Sequence, residues 1–407
     1  MEELILGELT ERKIGYGIIQ PGESTIGGVP VIKVNNIISG LKSIQDLDTT
    51  HPENDQKYRK TRLNGGEIII SVVGTIGKTA IVPMDFKGCN LVRATALIDI
   101  KDPILSRWVK YYIDSPKGQS YINGNLNTTV QPTLNIKSLV EMPIPFYGRE
   151  YAEKVVAILS KIDDKIENNR KINDNLEQQA QALYKSWFTD FEPFKNGKFI
   201  ESELGLIPEG WKVGKIKDII SLLSGFPFKS SDFVQNGDYR LITIKGVQDG
   251  YLDVTSADRL SSFPPKMPEY CILNIGDILI SLTGNVGRIC IVDRNKLLLN
   301  QRVAILAPKD PRDSFYTYTM FRSESFKNEL IHLARGTAQL NLSPIETGDK
   351  LTVIPPDSVL EAFAKISKGT FDQYISIKME NIRLSEMRDT LLPKLISGEL
   401  KINEIDC

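Results

Sequence analysis

The chain has 407 residues, of which 41 % are hydrophobic and 25 % charged, a composition that is ordinary for a globular protein. Its length suits about two to four domains, and its formal net charge of −1 gives no sign of a polyanionic partner. No run approaches about 18 uninterrupted apolar residues and the N-terminus lacks a basic segment, so we expect a cytoplasmic protein without a membrane span or signal peptide. The four scattered cysteines lack metal-ligand spacing, which argues against a zinc site and fits a reducing compartment.

The first domain is predicted to cover residues 1–150. An apolar run at residues 67–73 predicts a short strand, and turns rich in Gly, Pro, Asn and Asp separate it from its neighbours. Residues 108–113 predict a short helix on the sheet. Pro143 and Pro145 mark the end of the domain, because proline neither donates to a sheet nor continues a helix.

A central spacer helix is predicted next, over residues 151–190, and a linker follows at 191–210. Residues recur there in alternating steps of 3 and 4, which indicates a heptad seam of about four repeats. Its middle is polar, and polar seam positions cost stability but fix register and partner. The predicted seam residues are Val155, Ile158, Ile162, Lys165, Asn169, Ile172, Leu176, Gln179 and Leu183.

The chain then repeats itself. Residues 66–82 reappear without a gap as residues 276–292, with eight of 17 positions identical and five more exchanged conservatively. A period of about 210 residues is too long for a solenoid and indicates two copies of a whole domain. Similar offsets pair Ile32 with Ile242, Asn90 with Asn300, Arg93 with Arg302, Thr129-Val-Gln131 with Thr337-Ala-Gln339, and Leu134-Asn-Ile136 with Leu340-Asn-Leu342.

The second domain is predicted over residues 211–357, and it also ends at prolines, Pro355 and Pro356. A distal spacer helix follows over residues 358–400. Because both helices keep the same heptad phase, we expect them to pack against each other; two amphipathic helices on separate domains are the alternative. The predicted seam of this helix is Phe363, Ile366, Thr370, Gln373, Ile377, Glu380, Leu384, Met387 and Leu391.

Sequence signals for catalysis are weak. His51 and His332 lie at non-equivalent positions, which excludes a duplicated histidine triad. Residues 74–79 resemble the end of a phosphate-binding P-loop, but that motif needs a glycine where Val72 stands. Both copies do keep Gly-x-x-Gly followed by a cation. Such a turn either approaches a phosphate backbone closely or is a plain hairpin. The sequence also has no aminomethyltransferase tetrapeptide and no strand followed by GxGxxG.

Four features together resemble the specificity subunit of type I restriction-modification systems. They are the repeated Gly-[Glu/Asp]-Ile-[Ile/Leu]-Ile-Ser…Gly-x-x-Gly-[Lys/Arg] unit, the domain opener Leu206-Ile-Pro-Glu-Gly-Trp211, the segment Thr337-Ala-Gln-Leu-Asn-Leu342, and the heptad helix after each domain. Residues 1–10 lack the opener. The resemblance implies an α+β chain with two similar mixed α/β target-recognition domains, each followed by a long helix. The two helices are expected to form an antiparallel coiled coil.

The resemblance also implies a function. The chain is expected to be a non-catalytic DNA-binding subunit of a restriction system that reads a bipartite sequence in double-stranded DNA, one half with each domain. Two modification (adenine methyltransferase) subunits and restriction subunits are its expected partners, and no membrane is expected. We expect no cofactor on this chain, and S-adenosylmethionine, ATP and Mg on the partner subunits. The alternatives are the specificity subunit of a bifunctional (type IIB-like) restriction enzyme, a coiled-coil scaffold without DNA binding, and an NTP-using enzyme built on residues 74–79.

The DNA-binding candidates fall into two groups. Cations that suit the phosphate backbone are Lys57, Arg59, Lys60, Arg62, Lys78 and Arg288. Side chains that fork onto base edges are Asn127, Gln131, Arg335 and Gln339. A solvated charged loop and ordinary turn chemistry are the respective alternatives. Arg93 and Arg302 are equally explained as structural cations, and Trp187, Phe188 and Phe191 either face a partner helix or form a local cluster.

The helices predict a distance. A seam from Val155 to Leu183, 29 residues long, is about 43 Å at 1.5 Å per residue, or about 13 base pairs. If the helices act as a rigid ruler, a heptad deletion shortens the preferred gap between half-sites by about 3 base pairs. Mapping the methylated motif of such a variant measures this gap, and unchanged spacing would reject the ruler.

Overall fold

The computed structural model describes residues 2–41, 43–127, 131–336 and 339–400. The chain divides into two compact units. The first is Met1–Ile166 together with Leu384–Cys407, and the second is Glu167–Arg383. Each unit therefore combines one copy of the repeated domain with part of each long helix.

The first unit is built on short strands and a few helices. Its strands are β1 (Glu2–Ile5), β2 (Arg12–Tyr16), β3 (Val29–Ile32), β4 (Asp48–Thr50), β5 (Ile68–Ser71), β6 (Thr79–Ile81), β7 (Asn90–Leu91), β8 (Thr95–Asp99), β9 (Leu126–Asn127), β10 (Thr133–Leu134) and β11 (Pro143–Phe146). Its helices are α1 (Val34–Ser39), α2 (Pro52–Lys57), α3 (Pro103–Asp114), α4 (Pro116–Gly124), α5 (Ile136–Val140) and the start of the long α6 (Arg149–Tyr184).

The central sheet of this unit has the strand order β2-β8-β5-β6, and β5 is buried on both faces. Ile68 and Ile70 pack in the same cluster as Trp108 of α3. Ile69 points the other way and packs with Ile32 of the β4-β3-β7 sheet. Burial on both faces explains why this strand is a continuous apolar run and does not alternate with polar residues.

The second unit repeats this plan. Its strands are β12 (Phe199–Ser202), β13 (Gly205–Pro208), β14 (Lys212–Lys215), β15 (Ile220–Ser224), β16 (Tyr239–Ile242), β17 (Arg259–Leu260), β18 (Ile272–Leu273), β19 (Ile278–Ser281), β20 (Ile289–Ile291), β21 (Leu297–Leu299), β22 (Val303–Pro308) and β23 (Leu351–Ile354). Its helices are α7 (Ser314–Arg322), α8 (Glu324–Leu333), α9 (Pro344–Asp349) and the long α10 (Asp357–Ile396). The sheet β15-β22-β19-β20 matches β2-β8-β5-β6 of the first unit.

The edges of the two domains are also equivalent. Strand β1 pairs antiparallel with β11, just as β14 pairs antiparallel with β23. The first domain thus has the same closing strand pair as the second, although residues 1–10 lack the opener motif. The predicted linker at 191–210 contains the hairpin formed by β12 and β13.

Two of the predicted repeat pairings are wrong. Ile32 pairs with Leu91, and Ile242 pairs with Leu299, so the offset between copies has fallen from 210 to 208 residues at this point. Asn90 therefore does not correspond to Asn300. At the same offset, Arg302 corresponds to Ala94 of the first copy, because Thr95 and Val303 begin equivalent strands. The loop before β7 is two residues longer than its counterpart, which sequence identity alone did not reveal.

The long helices run antiparallel within each unit, as predicted. In the first unit, the Tyr151 hydroxyl donates to the Leu395 carbonyl (2.8 Å), and the Arg388 guanidinium lies 3.1 Å from the Asp163 carboxylate. In the second unit, the Asn169 amide donates to Glu380 (2.7 Å) and to Asn381 (2.9 Å). The Phe188 ring, just beyond α6, lies 4.8 Å from the Phe363 ring.

The phase of the predicted seam is wrong at alternate positions of α6. The helix buries Leu159, Ile166, Asn173 and Ala180, each one residue after a predicted position, while Ile172 is 41 % exposed. Of the other predicted positions, Lys165 and Gln179 are exposed, Ile158 is half-buried, and the rest are buried or half-buried, namely Val155, Ile162, Asn169, Leu176 and Leu183. The true spacing is therefore a step of 4 followed by a step of 3.

Helix α10 shows the same shift. Ser367 and Tyr374 are buried, whereas Ile366 is 58 % and Met387 52 % exposed, and Gln373 is exposed too. The predicted and the observed seams share every second position, so the heptad pattern of the sequence alone does not distinguish them. Hydropathy favoured the isoleucine and the methionine, but the packed face holds a serine whose hydroxyl donates to the Phe363 carbonyl (2.7 Å). Of the other predicted positions, Phe363 and Ile377 are buried, and Leu384 and Leu391 are half-buried.

The seam predicts a contrast between two neighbouring residues of α6. Asn169→Ala removes two hydrogen bonds from a side chain that is 1 % exposed, so we expect the free energy of unfolding to fall by about 1–3 kcal/mol. Ile172→Ala, on the exposed side, is the matched control and should change it by less than about 1 kcal/mol. Urea unfolding measures both. Equal losses would contradict the phase described here.

Candidate nucleic-acid interface

Each domain presents the same tight turn between two strands of its central sheet. The glycines that begin and end the Gly-x-x-Gly sequence have positive φ angles, 78° and 81° at Gly74 and Gly77, and 75° at both Gly284 and Gly287. Residues with a Cβ rarely adopt this left-handed region, so the spacing of the two glycines is a backbone requirement. A strand follows each turn, where a P-loop has a helix, which removes the basis of the nucleotide-binding alternative.

A buried serine closes each turn from inside. The Ser71 hydroxyl donates to the Thr75 carbonyl (2.6 Å) and accepts from the Lys78 amide (2.8 Å). The Ser281 hydroxyl does the same with Asn285 (2.5 Å) and Arg288 (3.0 Å). The cation is thus the first residue after a turn whose backbone is fixed.

In each domain, a second segment lies beside the turn. Val73 pairs with Thr133 in the first domain, and Thr283 pairs with Asn341 in the second. The predicted match of Leu134-Asn-Ile136 with Leu340-Asn-Leu342 is therefore two residues out of register. Asn135 caps α5 and its true counterpart Ser343 caps α9. The repeated Leu-Asn pair misled the alignment.

The predicted base readers are on this second segment. Asn127 and Gln131 are exposed on either side of Thr128–Val130, and Gln339 is exposed just after Thr337 and Ala338. Residues 128–130 and 337–338 lie outside the described residues. They include Thr129 and Thr337, which the sequence repeat aligns with each other. Arg335 is largely exposed, with its guanidinium 2.8 Å from the Glu346 carboxylate.

The second domain has a polar groove of about 390 Å³ next to its turn. Exposed Gln301, Arg302 and Gln339 contribute to its lining, together with Asn341, whose side-chain oxygen accepts from the Thr283 hydroxyl (2.8 Å). Amide and guanidinium groups of this kind match the hydrogen-bonding edges of bases. Sequence reasoning missed Gln301 and Asn341, because the tertiary fold and no local pattern places them in one groove with Gln339.

The basic run of the first domain separates into two kinds of residue. Lys57, Arg59 and Lys60 are exposed at the end of α2 and in the turn after it. Arg62 instead forms an ion pair with Asp55, whose side chain is 1 % exposed and also accepts from Asn90 (2.8 Å). The hydrogen bond to Asp55 raises the pKa of Arg62. Arg62 is thus engaged within the fold.

The two turn cations differ in their surroundings. Lys78 is exposed, and its ammonium makes no hydrogen bond or ion pair with the described residues. Arg288 is half-buried, and its guanidinium Nη1 donates to the Gln248 side-chain oxygen at 2.6 Å. Neither cation is paired with a carboxylate within the described part of the chain. Both cations can therefore bind an approaching anion.

Other chemistry finds little support in the described residues. They contain no cluster of His, Cys, Asp and Glu that could hold a metal ion. They also contain no helix long and apolar enough to cross a bilayer. Burial raises the pKa of the Cys89 thiol to about 11 and that of the Cys290 thiol to about 12. Both thiols are therefore protonated and unreactive near neutral pH.

Two domain-sized segments of the chain match one family model, described as the type I restriction modification DNA specificity domain, at residues 2–178 and 208–356. The MjaIX specificity subunit, a type I restriction enzyme subunit of Methanocaldococcus jannaschii, is 29 % identical over 75 % of this chain and 71 % of its own length. The MjaVIII specificity subunit of the same organism is 24 % identical over 94 % of this chain and 89 % of its own length.

Two further similarities agree with these. The HindI specificity subunit of Haemophilus influenzae is 26 % identical over 66 % of this chain and 71 % of its own length. In three dimensions, the crystal structure of the type I restriction-modification system S subunit from M. genitalium covers 97 % of this chain and 95 % of its own length. Its TM-score is 0.51 at 16 % identity, so this similarity concerns the fold.

The role of Arg62 is open to a stability test. Arg62→Gln leaves the buried Asp55 carboxylate without its cation, so we expect the free energy of unfolding to fall by about 1–3 kcal/mol. Lys60→Gln, exposed in the same turn, should change it by less than about 0.5 kcal/mol. Urea unfolding compares the two. An Arg62→Gln variant as stable as the wild type would return this residue to the DNA-contact group.

Proposed function

Because the chain belongs to the type I restriction-modification DNA specificity family and is a non-catalytic specificity subunit, we propose that each of its domains reads one half of a bipartite sequence in double-stranded DNA. The observation that carries the proposal is the duplicated turn: both domains hold a serine-closed Gly-x-x-Gly turn, followed by a cation, beside an exposed polar segment.

The proposed division of labour follows from exposure and chemistry. The turn cations Lys78 and Arg288 contact the phosphate backbone, and exposed Lys57, Arg59 and Lys60 add to this in the first domain. Such contacts fix the register of a protein on the duplex but carry no sequence information. Because the net charge of the chain is −1, affinity depends on these local clusters.

Sequence is read by the segments beside the turns. In the first domain the readers are Asn127 and Gln131; in the second they are Gln339, Gln301 and Arg302, with Arg335 close by. Asn and Gln match adenine, and Arg matches guanine, by paired hydrogen bonds in the major groove. Since the two sets differ while the turns are alike, the two half-sites differ in sequence.

The partners belong to the same proposal. Two modification subunits dock on the chain and methylate an adenine in each half-site, and restriction subunits join them in the cytoplasm. S-adenosylmethionine, ATP and Mg are bound by these partners. The long helices support the docking of partner subunits, because the apolar side chains of Ile172, Ile366 and Met387 are exposed and lie outside the buried seam. Exposed apolar positions on a helix suit an incoming protein surface.

The test is genome-wide mapping of methylated adenine in cells that carry the cognate modification subunit, with and without this chain. We expect a split motif that is methylated only when the chain is present, because the chain supplies the sequence recognition. No change in methylation, in cells where the complex is shown to assemble, would favour the scaffold without DNA binding.

A further inference from the structure

A loop of the second unit, residues 248–251, connects the turn cation to the interior of the unit. The Gln248 side-chain oxygen accepts from Arg288 (2.6 Å), and its side-chain nitrogen donates to the Lys245 carbonyl (2.8 Å). The Gln248 backbone amide also donates to the Tyr251 carbonyl (3.1 Å). The side-chain carboxamide of Gln248 is therefore held through both its nitrogen and its oxygen, and the oxygen is directed at the guanidinium of Arg288.

The back of this loop is fixed at Gly250. Its amide donates to the Ile289 carbonyl (2.8 Å), next to Arg288, and its carbonyl accepts from Lys378 (2.6 Å) and Tyr374 (3.4 Å) of α10. Gly250 has a φ of 84°, in the left-handed region that favours glycine. The loop thus lies between the turn strand and a long helix, with hydrogen bonds to each.

Charged side chains also link the same loop to α6, the other long helix. Arg322 pairs with Asp249 of the loop and donates from Nε to Glu177 of α6 (3.0 Å). The second Glu177 oxygen accepts from the Tyr318 hydroxyl (2.7 Å). Desolvation lowers the pKa of Lys378. Charges kept in desolvated positions cost stability, and we infer that here they are retained because they hold one specific geometry of the loop.

We propose that Gln248 is a positioning residue for Arg288, and that Glu177 and Lys378 of the long helices hold the loop that carries it. The helices then set where the cation of the second domain meets the DNA backbone. Lys78 of the first domain makes no comparable bond within the described residues, so the two domains hold their cations differently. This inference rests on the proposed function, because it assumes that Arg288 contacts DNA.

The first test changes the bond between Gln248 and Arg288. The assembled complex is titrated with a duplex carrying the mapped motif, over a range of salt concentrations. We expect Gln248→Met, which keeps the length but removes the acceptor, to weaken binding about tenfold. The slope of log affinity against log salt should also fall by about 0.9, the value for one lost phosphate contact. Arg288→Met should do the same, and the double variant should be no worse than Arg288→Met alone.

Rescue and an internal control separate positioning from loss of structure. Gln248→Asn keeps an uncharged carboxamide, one methylene shorter, and should recover part of the salt slope, which a generally weakened fold would not do. Because a phosphate contact carries no sequence information, Gln248→Met and Arg288→Met should both keep the wild-type ratio of affinities for duplexes with and without a changed base in either half-site. A Gln248→Met complex with wild-type affinity and slope would overturn the inference, and so would an Arg288→Met complex without a defect. A wild-type complex with no preference for the motif would instead overturn the proposed function.

The second test concerns the long helix. Lys378→Met removes the donor to the Gly250 carbonyl and should lower the salt slope in the same direction as Gln248→Met. Lys368→Met is the matched control, since this lysine is exposed on the same helix and pairs only with Asp372 among the described residues. Melting temperatures of both variants verify folding. A folded Lys378→Met complex with an unchanged slope would overturn the role of the helix, and a Lys378→Met chain that fails to fold leaves the Gln248 series to decide.

Discussion

In each unit, the apolar side chains of the two long helices are buried in the same cluster as the helix that covers the central sheet. Trp108 of the first domain lies 6.1 Å from the Tyr151 ring of α6, and Tyr316 of the second lies 4.8 Å from Phe188. Close-packed side chains of this kind change arrangement only in discrete steps. The Gly-x-x-Gly turn of each domain therefore keeps a fixed geometry relative to the helix segments in its own unit.

In the duplicated turns, the backbone conformation is the same while the neighbouring side chains differ. Two glycines and a buried serine determine the backbone in both copies, so the neighbouring side chains can differ without altering it. The first copy has Thr133 where the second has Asn341, and an ordinary alanine, Ala94, where the second has Arg302. Variation at such positions changes the exposed hydrogen-bonding groups while the scaffold stays the same.

Sequence alone predicted the two-domain plan, the central strands and the pair of antiparallel helices, because these follow from a long repeat and from sustained periodicity. The phase of the helix seam was not accessible, since Ile172 and Asn173 satisfy two heptad patterns that share alternate positions. The engagement of Arg62 depends on the burial of Asp55, which is seven residues away in sequence and buried by the tertiary fold. The bond from Arg288 to Gln248 joins residues 40 positions apart, and no local pattern indicates it.

The first unit is assembled from two distant parts of the chain, and this bears on its synthesis. Leu392, Leu395 and Ile396 complete the core around Trp108, and the Tyr147 hydroxyl donates to the carbonyl of Ser397, 250 residues later. At about 5 to 20 residues per second, the ribosome needs roughly 10 to 50 seconds to reach these residues after residue 166. During that interval the nascent first unit lacks these side chains, so the apolar surface that they cover in the complete fold stays exposed.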